Sequence, residues 1–116
     1  MRRFAGNFVS LVIALAVSFG CAAKDVENDK VVLTDLHLES LPSGIYAITG
    51  LGRNKSDKVI TTNFVKFNLL QNGIITDSTI DTASGIKPNQ QWKIFAPVNI
   101  INGKPDEFEV IDILSR

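Results

Sequence analysis

The sequence is poor in the residues that build metal centres, disulfide frameworks and most catalytic sites. Its 116 residues include one cysteine, one histidine and one tryptophan. A single cysteine excludes an internal disulfide and a cysteine-rich zinc site, and a single histidine excludes a multi-histidine metal site. The twelve basic side chains balance the twelve acidic ones, and no basic stripe of the kind that nucleic-acid-binding proteins carry is visible. We therefore expect one small domain with no cofactor, no metal and no nucleic-acid partner.

The first twenty residues have the pattern of an exported protein. Arg2 and Arg3 precede an apolar run from Phe8 to Phe19, which is the order of charged start and apolar core found in signal peptides. The run has about twelve residues, whereas a helix needs about twenty to cross a hydrocarbon core. Residues 1–20 are therefore predicted to be a helical signal peptide and not a permanent membrane span.

Cys21 follows this segment directly, after Gly20, and the arrangement resembles the lipobox of bacterial lipoproteins. The resemblance implies cleavage before Cys21, a diacylglyceryl group on its sulfur and a further acyl chain such as palmitate on its amino group. Two or three acyl chains anchor a protein far more firmly than one. Ala22, where an aspartate would resemble an inner-membrane retention signal, implies the outer membrane in a host with two membranes. An ordinary secretory signal, cut after Gly20 or Ala23, is the alternative.

Residues 21–30 are predicted to be a flexible tether, because they hold one sizeable apolar residue, Val26, and cannot bury enough surface to offset the entropy of ordering. Residues 31–116 indicate an all-β domain. Runs of β-branched and aromatic residues alternate with turn signals, and no amphipathic helix is visible in the mature part. We expect six or seven short strands packed as a small immunoglobulin-like β-sandwich.

Several local patterns predict individual strands. In Val31–Leu38 the alternation places Leu36 on one face and Leu33 on the other. Asn72-Gly73 predicts a type I′ hairpin, since both residues tolerate the positive φ that this turn requires. The strand before the hairpin is expected to be central and the polar strand after it to lie at a sheet edge.

A later run, Gln91–Val98, alternates with Trp92 on its apolar face, and Pro97 indicates that it ends or lies at an edge, because proline cannot donate to a ladder. Trp92, Phe67 and Val65 are the predicted centre of the core.

One stretch resembles a known module. Phe67, Leu69 and the following Asn72-Gly73 are similar to the F-x-L-Y-D signature of the FxLYD domain of exported bacterial and archaeal proteins, with Leu70 and Gln71 in place of its Tyr and Asp. Flanking matches extend over residues 45–112. The resemblance implies an immunoglobulin-like sandwich in a cell-envelope protein that binds or scaffolds. It assigns structural roles only, to Phe67, Leu69, Asn72, Gly73, Pro88 and Trp92.

Four residue groups are candidates for chemistry or binding. His37 with Asp35 and Ser40 is a weak echo of a hydrolytic triad, but no nucleophile elbow accompanies it. Asp77 and Asp81 offer oxygen ligands for calcium without the calcium-loop pattern. The glycosylation sequon at residues 54–56 carries no weight in a bacterial setting. If the second face of the central strand is uncovered, Phe64, Ile60 and Leu70 form an exposed apolar stripe suited to a partner; the alternative is that the domain's own loops or strands cover it.

These patterns lead to one leading hypothesis, a lipid-anchored cell-envelope protein that binds or scaffolds and catalyses no reaction. Its expected partners are the membrane, through the anchor, and another envelope protein, met through a strand edge. The alternatives are an accessory subunit of a secretion or surface-assembly complex, an exclusion lipoprotein of a mobile element, and a small envelope hydrolase with His37 as its base.

Overall fold

Seven strands make up the part of the chain that the computed structural model describes, residues 23–116. The predicted signal peptide and Cys21 lie outside these residues. The strands are β1 (Lys24–Glu27), β2 (Val31–Ser40), β3 (Tyr46–Asn54), β4 (Ile60–Gln71), β5 (Ile74–Ile86), β6 (Gln91–Val98) and β7 (Glu107–Ser115). Among residues 23–116 there is no helix long and apolar enough to span a membrane.

The strands form two antiparallel sheets, one in the order β1-β2-β3-β6 and one in the order β5-β4-β7. The predicted all-β sandwich of six or seven strands is confirmed. An immunoglobulin constant domain also has sheets of four and three strands but pairs its first, second, fifth and fourth strands in the larger one. This chain shares that layering and connects its strands differently, because β2 and β3 are a hairpin within one sheet.

The core lies between the sheets and draws on strands of both. Val65, Phe67 and Leu69 of β4 are almost completely buried, which confirms the prediction of Val65 and Phe67 as core residues. The Phe67 ring meets the Phe108 ring edge to face, with centroids 5.8 Å apart. Trp92 was predicted at the centre with Val65 and Phe67, and that placement is wrong. The indole is only partly buried and packs against the margin of the core.

Strand β1 contradicts the prediction of a flexible tether for residues 24–27. This segment pairs with β2, with Lys24 opposite Leu36 and Glu27 opposite Val32. Val26 packs against the core, and Lys24 Nζ donates a hydrogen bond to the Phe108 carbonyl of β7. The ordering therefore comes from contacts with distant strands, which the local composition does not reveal.

A bulge in β2 changes which side chains face the core. Both Leu33 and Leu36 are fully buried, although strict alternation places them on opposite faces. The pairing with β3 shifts between Thr34 and His37, and Asp35 adopts a positive φ of 58°. The extra residue of a bulge reverses the phase of the strand, so the prediction that Leu33 and Leu36 lie on opposite faces is wrong.

Two turns have the conformations that their residues favour. Asn72 and Gly73 have φ values of 52° and 80° and join β4 to β5 as the predicted hairpin. In the turn before β6, the Gln90 N–H donates to the Lys87 carbonyl at 2.9 Å. Pro88 and Asn89 occupy its central positions, and Asn89 has a φ of 66°, as the second central position of a type II turn requires.

Candidate functional site

The outer face of the three-stranded sheet carries a shallow apolar depression, which we call the β4 face. It has a volume of about 200 Å³ and is lined by Phe64, Lys66, Ile80, Asp112 and Leu114. The register explains the cluster. Phe64 of β4 lies opposite Leu114 of β7, and Lys66 lies between Ile80 of β5 and Asp112 of β7. No other strand of residues 23–116 packs over this face.

The β4 face includes part of the stripe predicted from the sequence. Phe64 lines it, and the neighbouring Ile80 and Leu114 are 44% and 41% exposed. Ile60 was predicted on this stripe, but it is 2% exposed and belongs to the core. The strand is irregular beside it, since the N–H groups of Thr61 and Thr62 both donate to one carbonyl of the last residue. Leu70 is half-buried and does not line the depression.

Ile80 and Leu114 come to the β4 face from strands that flank β4, so the sequence alone did not identify them. The available signal was weak. Ile80 is the one large apolar residue in the polar run 77–82, and an isolated apolar side chain on an edge strand is ordinary. Only the register that brings β5 and β7 beside β4 turns three separate residues into one patch.

Side chains cap main-chain groups on two of the four edge strands, β6 and β7. Strand β6 is an edge strand, as Pro97 predicted, and the Thr79 hydroxyl of β5 donates to the Pro97 carbonyl at 2.6 Å. On the opposite side of the sandwich, β7 is an edge strand whose Phe108 carbonyl accepts from Lys24. Its Ser115 carbonyl accepts from Lys30 Nζ at 3.5 Å. Charged side chains placed on edges discourage the addition of another strand.

Asp81 holds β5 against β6. The residue is 4% exposed. Its carboxylate accepts two hydrogen bonds, from Trp92 Nε1 at 3.1 Å and from the Phe95 N–H at 2.9 Å. Burial raises the pKa of Asp81, and the hydrogen bonds from Phe95 and Trp92 oppose that rise. Asp81 lies on a polar edge strand as predicted, but its task there is to fix the indole and the free edge of β6.

Trp92 rests on the main chain of Gly52, its partner on β3. A Cβ atom at residue 52 would lie 2.4 Å from Cζ2 of the indole, which is far inside contact distance. Gly52 is therefore the surface on which the ring packs, which is a known role for glycine inside a strand. Trp92 therefore packs across two strands and donates to one buried carboxylate.

His37 takes part in a polar cluster on the outer face of the four-stranded sheet. Its Nδ1–H donates to the Asp35 carbonyl at 2.9 Å and its Nε2–H donates to Glu39 Oε1 at 3.0 Å. The Thr49 hydroxyl donates to the same carboxylate oxygen at 2.8 Å. The hydrogen bond to the Asp35 carbonyl is the main cause that raises the pKa of His37, and Glu39 adds to it.

This geometry differs from that of a hydrolytic triad. Nδ1 is bonded to a main-chain carbonyl, and Nε2 faces the Glu39 carboxylate and the Thr49 hydroxyl, where a triad base faces its nucleophile. Ser40 lies three residues along the strand from His37, which places it on the other face. The Asp35 carboxylate oxygen is 4.0 Å from Nδ1, and the main-chain carbonyl takes the position that a triad acid would occupy.

The other two candidate sites have structural explanations. Asp77 and Asp81 are four residues apart on one strand, about 13 Å at the usual rise, which is too far for a shared calcium ion. Residues 23–116 contain no group of three or more side chains suited to a metal. Asn54 of the sequon is fully buried, and its Nδ2 donates to the carbonyls of Lys58 and Ile86 at 2.8 and 2.9 Å. The side chain ties a loop to β5 and is closed to modification.

Comparison of the chain with protein-family models, with curated proteins and with solved structures finds no match. The resemblance to the FxLYD domain and to lipoproteins therefore stays a prediction that rests on the residues named above.

Proposed function

We propose that this chain is a lipid-anchored protein of the bacterial cell envelope, whose β-sandwich binds another envelope protein and catalyses no reaction. Cys21 is the anchor in this proposal, and the β4 face is the binding surface. In a host with two membranes the proposed location is the outer membrane.

The observation that carries the binding role is the composition of the β4 face. Three apolar side chains, those of Phe64, Ile80 and Leu114, lie together in a depression, and Lys66 and Asp112 stand beside them with opposite charges. An apolar centre with a polar margin is the usual anatomy of a protein–protein interface. A lipid surface would not favour this face, because Lys66 and Asp112 would have to leave water with it.

Two of the four edge strands, β6 and β7, are poorly suited to strand addition, which favours this face as the contact. Strand addition needs a row of free main-chain groups. On β6 the Phe95 N–H is already bonded to Asp81, and Pro97 has none to offer. On β7 two carbonyls accept from lysine side chains.

The anchor is tested by the intact mass and membrane partition of the full-length protein beside Cys21→Ser. A wild-type mass without residues 1–20, raised by acyl chains and recovered with membranes, is the expected result. The Cys21→Ser protein should lose both the added mass and the membrane association. A soluble, unmodified wild-type product would refute the anchor.

The binding surface is tested by photo-crosslinking in cells, with the crosslinking amino acid placed at residue 80 or, as a control, at residue 95. The two positions are 44% and 45% exposed and lie on opposite outer faces of the sandwich. We expect one envelope protein, identified by mass spectrometry, to be captured from residue 80 and not from residue 95. Lys66→Glu should abolish that adduct, whereas Lys87→Glu, in the distant turn before β6, should leave it intact. Equal capture from both faces would refute the assignment.

A further inference from the structure

One end of the sandwich is apolar to an unusual degree. Three connections meet there: residues 41–45, the hairpin 72–73 and the loop 99–106. The strand register places them together, because Tyr46 pairs with Val98 and Leu70 pairs with Glu107 at this end of the sheets. This end, which we call the isoleucine end, exposes five isoleucines. They are Ile101 at 83%, Ile74 at 67%, Ile75 at 57%, Ile45 at 49% and Ile100 at 44%.

The three connections carry only two charged side chains, and both have partners within this end. Lys104 Nζ lies 5.2 Å from the centroid of the Tyr46 ring. Asp106 Oδ2 accepts from the Asn72 N–H at 3.1 Å. Five exposed isoleucines therefore share this end with only one lysine and one aspartate.

The opposite end of the sandwich is mostly charged. Its loops expose one large apolar residue, Val59, at 57%. Around it are charged, exposed side chains, including Lys30, Lys55, Asp57, Lys58, Lys87 and Arg116. The two ends of one small domain thus differ sharply in polarity, which general surface composition would not produce.

The start of the domain lies toward the apolar end. Strand β1 runs antiparallel to β2 with Lys24 opposite Leu36, so the chain enters β1 from the side on which β2 ends, at Ser40. That side is the isoleucine end. The four residues from Leu36 to Ser40 cover about 13 Å. Cys21 is three residues before Lys24 and so lies within about 11 Å of it, whatever path the chain takes.

We propose that the isoleucine end is a membrane-docking surface that rests on the lipid bilayer. The proposal rests on the lipid anchor at Cys21 proposed above. Acyl chains at that residue hold Lys24 near the membrane surface, and the isoleucine end is the part of the domain on the same side. Apolar side chains on loop tips gain free energy when they leave water for the interfacial region of a bilayer. The anchor and the isoleucines together fix the orientation of the domain on the membrane. The charged end points away from the bilayer, and the plane of the β4 face is perpendicular to the membrane surface.

The test uses the full-length acylated protein, reconstituted in vesicles of phosphatidylethanolamine and phosphatidylglycerol. Acylated Cys21 has no free thiol and is the single cysteine, so one introduced cysteine takes a fluorescent nitrobenzoxadiazole label. Ser43→Cys places the label in the loop 41–45, and Asp57→Cys places it at the charged end. We expect the Ser43→Cys label to be blue-shifted and largely quenched by doxyl lipids, and the Asp57→Cys label to be quenched by aqueous iodide.

A pair of variants connects the result to the isoleucines. In the Ser43→Cys protein, Ile100→Ser with Ile101→Ser should shift the label toward iodide quenching, whereas Val59→Ser should change nothing. These side chains lie in exposed loops, and an unchanged circular dichroism spectrum checks the fold.

The outcomes separate the two proposals. A mass spectrum without acyl chains refutes the anchor. Acyl chains with the Ser43→Cys label open to iodide refute membrane docking alone. A label shielded from both quenchers refutes it too, and indicates that a second copy or another protein covers this end.

Discussion

The contact between Trp92 and Gly52 gives the sharpest test of the packing described above. In Gly52→Ala the new Cβ atom would lie 2.4, 2.5 and 2.6 Å from three atoms of the indole. Because Trp92 Nε1 donates to Asp81, moving the ring away strains that hydrogen bond or displaces β6.

Overpacking of this kind costs about 1–3 kcal/mol. Contacts this short belong to the upper part of that range, about 2–3 kcal/mol. Alanine inside a strand is about 0.5–1 kcal/mol better than glycine, so the net loss in the free energy of unfolding should be about 1–2.5 kcal/mol. For a domain of this size that corresponds to a fall in Tm of about 4–20 °C.

Thermal and urea denaturation measure the loss, and the emission of the single tryptophan reports the displaced ring as a red shift. The matched experiment repeats Gly52→Ala in a Trp92→Leu background, where no ring is present to collide. There the substitution should be neutral or stabilising by up to about 1 kcal/mol. If Gly52→Ala leaves both Tm and the emission spectrum unchanged, the indole does not pack on residue 52 and the reasoning fails.

Three further predictions follow from burial and from the pKa directions. Phe67→Ala should cost about 3–5 kcal/mol in urea denaturation because the ring is fully buried, whereas Phe95→Ala, at 45% exposure, should cost less than about 1 kcal/mol. The raised pKa of Asp81 means that the folded state binds its proton more tightly than the unfolded state. Stability from this group should therefore fall as pH rises from about 4 through the folded pKa; Asp81→Asn should remove that slope, and a retained slope would contradict the assignment. The pKa of His37 is raised, so its stabilising contribution is complete below about pH 6.5 and is lost as pH rises through the folded pKa. In an NMR titration Glu39→Gln should lower the His37 pKa without returning it to the ordinary value, since the Asp35 carbonyl remains, and an unchanged pKa would exclude Glu39 as a cause.

The elements that the sequence predicted well are those that local chemistry determines. Asn72-Gly73 tolerates positive φ wherever it occurs, and the alternation of β6 needs only one buried face. Pro97 excludes a central strand by lacking an N–H group. Each of these inferences depends on a residue and its immediate neighbours, and each is confirmed.

The elements that it missed depend on distant partners. Strand β1 is ordered by Val26 against the core and by Lys24 on β7. Trp92 sits at the margin because its N–H must reach the Asp81 carboxylate. The bulge at Asp35 follows from the pairing of β2 with β3, which no local pattern encodes.

The candidate surfaces also combine residues that the sequence identified with residues that only the fold brings together. Phe64 was identified on the central strand, but Ile80 and Leu114 join it only through register. The isoleucine end collects residues from three connections that are far apart in sequence, so it was not visible as a run. A hydrophobic patch built across strands or loops has no sequence signature of its own.

The side-chain closures at the two sides of the sandwich have a consequence for hydrogen exchange. Amides within β4 are bonded to strands on both sides and should exchange only when the whole domain unfolds. The Phe95 amide is protected instead by one carboxylate, that of Asp81, so it should exchange through a local opening of the β5–β6 seam. The β5–β6 seam is therefore the weak side of the domain. Its opening sets the exchange rate of the Phe95 amide and depends on the protonation of Asp81, while the hydrogen bonds within each sheet stay closed.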